Sequence, residues 1–121
     1  MYAGQSMHVL EADFSGTATS LFEVTRKPCD VGVSIRDTAS GADGVYYLQH
    51  LDYSTPASPA WVNAVGSTDA LTAVSGSVLA RVFPNLAPGL YRFYTASESG
   101  VVDVFVSGEQ VNVDNLTDPT S

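Results

Sequence analysis

A chain of 121 residues is the size of one domain, and such a domain buries roughly 65–70% of its unfolded surface without needing disulfides or metal. Its 45% hydrophobic content excludes a disordered chain. Its net charge of −8, from five basic and thirteen acidic residues, opposes nucleic acid and anionic membrane surfaces, both of which call for clustered Lys and Arg.

The chain opens with a short stretch, residues 1–5, in which Tyr2 is the one aromatic side chain. It reads as an N-terminal arm. "MYAGQSMHVLEADF" lacks the basic and apolar regions of a secretion signal, so synthesis and folding in the cytoplasm are expected. Period-two alternation then predicts strands over 6–12 and 19–25. In "VGVSIR", Val31, Val33 and Ile35 share one side of a strand over 31–36. "RDTASGADGVYY" carries turn chemistry, and the expected reversal is at Asp43-Gly44 or just before it. Further strands are predicted over 45–51, 60–65, 70–74, 77–83, 89–95, 101–107 and 110–113, with the stretch 54–60 as a loop. In "VVDVFVS", Val102, Val104 and Val106 point inward and leave Val101, Asp103 and Phe105 outside. Residues 114–121 are polar and read as a loose C-terminal tail, giving one domain over 6–113. No run of about 18 apolar residues offers a membrane-spanning helix. The predicted fold is all-β, with little or no helix. It is an antiparallel β-sandwich of about eight to ten short strands, jelly-roll or immunoglobulin-like.

No chemistry is marked. Cys29 is the single cysteine, and nothing in the spacing pairs it with His8 or His50, so it reads as a small thiol at the start of a strand. Two histidines and one cysteine lack zinc spacing. Asp37 and Asp43 do not have the alternating carboxylates of a calcium loop. Asp52, Asp69, Glu98 and Asp103 are carboxylates that a hydrolase could pair in space, but none is singled out, and Asp103 is expected to face outward. "NLT" at 115–117 matches a glycosylation triplet that matters only in a eukaryotic secretory route. No catalytic, cofactor-binding or metal-binding residue is therefore named, and the chain is expected not to be an enzyme. Rings at Tyr46, Tyr47, Tyr53, Trp61, Tyr91, Phe93, Tyr94 and Phe105 leave a carbohydrate-binding module open, although most should be core. Trp61, beside alternating Val62 and Ala64, is expected in the core.

"FPNLAPGLYRFY" at 83–94 reads as a connection, Pro84 to Gly89, between strands paired as a hairpin. One face then carries Leu79, Arg81, Phe83, Tyr91 and Phe93; the other carries Val78, Ala80, Val82, Leu90, Arg92 and Tyr94. Neither is properly polar, whereas an antiparallel sandwich strand ordinarily has one wet side. Aromatic residues with Arg, and few Lys or Glu, are the composition of protein interfaces. A sheet face covered by another subunit accounts for this pattern, and so does a third layer made by the terminal arms of the same chain.

"PAWVNA", "TDALTAVSG" and "VFPNLAPGLYRFYTASESGVVDVFVSGE" together resemble small β-sandwich structural proteins of tailed bacteriophages. The features are Trp61 on a strand, Gly89-Leu90-Tyr91-Arg92, Gly100 in a turn, and the closing strand Val101 to Val106. The resemblance covers about half of the chain. It implies a virion structural role on the outer capsid surface, as a head decoration or cement protein, with the major capsid protein or another virion protein as partner. Homo-oligomerisation, no nucleic acid and no membrane go with that role. The implied contacts are Arg81, Arg92, Tyr94 and Phe105 on the strands, and Tyr2 and Asn115 in the arms. The alternative is a carbohydrate-binding or host-surface adhesin module, as in a head fibre or tail component.

Overall fold

Strands form where apolar residues alternate with small or polar ones, because that spacing gives the backbone one side to bury. The computed structural model describes residues 7–64, 71–73, 78–95 and 98–120. Among them are nine strands and no helix: β1 (Met7–Phe14), β2 (Phe22–Val24), β3 (Cys29–Asp52), β4 (Ala60–Asn63), β5 (Leu71–Ala73), β6 (Val78–Leu86), β7 (Gly89–Tyr94), β8 (Glu98–Ser107) and β9 (Val111–Asn112). The predicted arm over 1–5, with Tyr2, lies outside the described residues.

All pairings are antiparallel, and they build two sheets. In the first, the leading half of β3 lies between β6 and β8, β8 is flanked by β1, and β5 pairs β3 at Gly44 to Tyr46. In the second, the trailing half of β3 lies between β4 and β7, and β7 leads through β2 to β9. The predicted β-sandwich is therefore the observed architecture.

Two local expectations were wrong. The glycine-rich stretch before Tyr46 does not reverse the chain. β3 runs on through it, with register irregularities against β8 between Asp37 and Ala39 and between Ala39 and Asp43. The same residues that make a turn also let a strand bulge and bend, and here the bend carries β3 from one sheet to the other. Nor do β6 and β7 form a hairpin. β6 pairs β3 in the first sheet, and β7 pairs β2 and β3 in the second.

"LAPGLY" is thus a corner between sheets. The Tyr91 hydroxyl donates to the Ala87 carbonyl at 2.6 Å, closing the turn from inside. A tyrosine hydroxyl bonded back to the backbone a few residues upstream makes this a tyrosine corner, a device also used in immunoglobulin-like sandwiches. Gly89 sits at φ 155, in a region that favours glycine. Just before it, β6 bulges at Pro84-Asn85, where Asn85 takes φ 54 and its amide donates to Asp30 Oδ1 at 2.9 Å. A proline inside a strand is tolerated at such a bulge, since no ladder bond is asked of it.

Both sheets fill the core. Val31, Val33, Ile35, Val102, Val104 and Val106 line the inner side of the first, as their alternation predicted. Phe22, Val24, Leu48, Tyr91 and Phe93 line the second. Phe83 meets Phe93 across the gap at 6.3 Å between ring centroids, and Phe14 packs near Tyr46 at 6.5 Å. Burying each such side chain contributes about 1.5–3 kcal/mol. The sandwich is therefore a rigid platform with two outward faces.

Candidate functional site

The outward face of the second sheet is set by register. Gln49 pairs Arg92 and Asn63, Leu51 pairs Trp61, and Tyr47 pairs Tyr94. Gln49 is only 9% exposed and Leu51 only 7%, although both point away from the core. The chain itself supplies the cover. The Arg92 guanidinium lies 4.6 Å from the centre of the Trp61 ring. Arg92 Nε donates to Gln49 Oε1 at 2.8 Å, and Gln49 Nε2 donates to Asn63 Oδ1 at 3.3 Å. Trp61 Nε1 donates to both carboxylate oxygens of Asp118, at 3.2 and 3.3 Å.

Asp118 brings in the C-terminal segment, which the sequence suggested would be loose. Its carboxylate is pre-set by Thr120, whose amide and hydroxyl donate to Oδ1 at 2.8 and 2.7 Å. Desolvation raises the Asp118 pKa. The Thr120 bonds, the Trp61 N–H and the Arg92 charge outweigh it and leave the value below the ordinary 3.8. Burial lowers the pKa of Arg92, against the attraction of Asp118 and Tyr94. Trp61 is accordingly half-buried in this outer layer and not in the core, where its neighbours Val62 and Ala64 had placed it.

The outward face of the first sheet is different. Across its four strands run two rows: Val82, Gly32, Ser107 and Met7, then Ala80, Ser34, Phe105 and Val9. Met7 is 58% exposed, Val9 55% and Val82 60%. Small residues in the middle leave the surface flat, and Phe105 stands half-buried among them. One end is closed by polar bonds around Asp103, which faces outward as expected. It accepts from Arg36 at 3.0 Å and from the Asp13 amide at 3.0 Å, and the Arg36 guanidinium lies 5.5 Å from the Phe105 ring centre. The Asp13 amide first, then Arg36, hold the Asp103 pKa below 3.8.

The residues named from sequence therefore separate. Phe105 lies in the bare apolar face. Arg92 and Tyr94 lie on the self-covered face. Arg81 pairs Val33, on the inward register of β6, and is half-buried at the rim. Asn115 is an exposed residue of the tail with φ 59. Tyr2 lies outside the described residues.

Sequence reasoning missed Met7, Val9 and Asp118. Met7 and Val9 carried a usable signal, since β1 is apolar on both sides, with Leu10 and Phe14 buried opposite them. Asp118 carried none, because its partner is 57 residues away.

Groups that could do chemistry stay apart. Half-buried Cys29 borders an open cleft with Lys27, Pro28, Asp30, Asn85 and Glu109, and His50 borders a different groove beside Tyr91 and Ala87. Among the described residues, no three His, Cys, Asp or Glu side chains cluster to hold a metal ion. Comparison with family models, with curated proteins and with solved structures finds no match for this chain.

Proposed function

We propose that this chain is a non-enzymatic structural subunit of a tailed-phage particle. It acts as a head decoration protein, made in the host cytoplasm and docked on the outer capsid surface through the outward face of its first sheet. The observation that carries the reading is that face: flat, with apolar side chains on three of its four strands around Gly32 and Ser34, and exposed where Met7, Val9 and Val82 stand. Exposed contiguous apolar surface marks protein contact. The net charge of −8 suits the outside of a shell and opposes the DNA-facing side.

Cementing follows from burial. A subunit laid across neighbouring capsid proteins removes this face from water, and each covered Met or Val contributes about 1 kcal/mol against separation, as half of its surface is already hidden. Several copies around a symmetry axis multiply the effect. A glycan-binding role has less support. Trp61, its principal ring, is occupied by Arg92 and Asp118, and Tyr53 is the ring among the large exposed apolar residues.

Sedimentation of the purified protein with empty phage shells tests the reading. Wild-type protein co-sediments, and Val82→Arg stays in the supernatant with its fold intact. A protein that ignores shells and tail components alike is not a virion subunit.

A further inference from the structure

The Trp61–Arg92 notch is built like a receptor. An indole N–H only donates, a guanidinium only donates, and both are held rigidly: Arg92 by the Trp61 ring and Gln49, Trp61 by its place on β4. Together they favour a carboxylate: Trp61 Nε1 donates to both oxygens of Asp118, and the Arg92 charge attracts it. The ligand is also a self-contained unit. Thr120, two residues on, donates to it from within the tail. Asn112, on the last strand, anchors the start of the tail: its Nδ2 donates to the Asp114 carbonyl and, at 3.5 Å, to Glu23 Oε1, and the Asp114 amide donates to Asn112 Oδ1. Between the last strand and Asp118 stands Asn115 at φ 59, a conformation asparagine adopts readily, where the chain changes direction.

We propose that this notch is a recognition site for an aspartate-bearing tail, and that it accepts residues 114–120 of a second copy of this chain in place of its own. A tail that brings its own turn makes the same bonds whichever copy supplies it. Exchange between copies therefore changes no contact, and only concentration decides between the two arrangements. A tethered tail competes at an effective concentration on the order of 1 mM, which neighbouring subunits in an assembly can match. The inference stands on the notch and the tail alone and does not depend on what the bare sheet face docks against.

Complementation between two full-length variants tests it. Trp61→Phe keeps the tail and loses the indole donor; Asp118→Asn keeps the notch and loses the ligand. Since Trp61 is the only tryptophan, every emission change in the mixture reports the notch of Asp118→Asn. Alone, Asp118→Asn shows shifted emission and stronger acrylamide quenching than wild type, and both variants sediment as monomers. Mixed at up to about 1 mM, they form a heterodimer, and the emission returns toward wild type. The double variant Trp61→Phe/Asp118→Asn, offered as tail donor, leaves it shifted. Should Trp61→Phe unfold, a synthetic peptide of residues 112–121 serves as donor, with its Asp118→Asn form as control. Emission in folded Asp118→Asn that no donor restores overturns the exchange. Emission identical to wild type in Asp118→Asn alone overturns the recognition site itself.

Discussion

The two outward faces of this sandwich come from the same kind of strand and end differently. On the second sheet, Leu51 and Gln49 point outward and are still buried, because Trp61, Arg92 and Asp118 lie over them. On the first sheet, Met7, Val9 and Val82 point outward and stay more than half exposed. A strand apolar on both sides therefore does not by itself call for a partner protein. It calls for a cover, and one face has found its cover within the chain. The other has none among the described residues, and it is the face to which the proposed docking is assigned.

The largest effect should come from stripping the cover. Trp61→Ala removes a half-buried ring, uncovers Leu51 and unseats Arg92, and should cost about 2–3 kcal/mol, below the range for a fully buried Trp, as read by denaturant unfolding. Next is the corner that carries the chain from one sheet to the other. Gly89→Ala meets no atom within 4 Å, so its cost is purely that of φ 155, about 1–2 kcal/mol. Tyr91→Phe loses the bond to Ala87 and should cost about 1 kcal/mol.

Acid should then separate the faces. Asp118 and Asp103 both have folded pKa values below 3.8. Each therefore contributes stability that is complete above 3.8 and lost as pH falls through the lower folded value. Trp61 emission should show an acid transition with its midpoint below 3.8, absent in Asp118→Asn and unchanged in Asp103→Asn. Smallest of all, Val82→Arg should shift stability by less than about 0.5 kcal/mol, because that residue is 60% exposed. A large loss there would mean that the first face is not bare.

Much of this was legible in the sequence, for physical reasons that also mark the limit. The alternation at Val31, Val33 and Ile35, and at Val102, Val104 and Val106, fixes which side is core, because burial of one side of a strand is a local property. Tyr91 and Phe93 were among the rings expected mostly in the core, and both are buried. What local rules do not carry is the destination of a strand. Turn residues around Gly44 suit a reversal and a bend equally, and the chain bends. "LAPGLY" suits a hairpin and a corner equally, and it is a corner. Trp61 looked like core because apolar neighbours alternate beside it. Its true setting depends on Arg92 and Asp118, each distant in sequence, and polar composition alone made the tail look loose.

The most direct test of the contrast is oxidative footprinting of the protein, free and bound to empty shells, read by mass spectrometry at Met7 and Trp61. The account predicts that Met7 reacts readily in the free protein and is strongly protected on shells, while Trp61 reacts weakly and equally in both. Met7 equally reactive in both states, with new protection at Trp61 on shells, would contradict it.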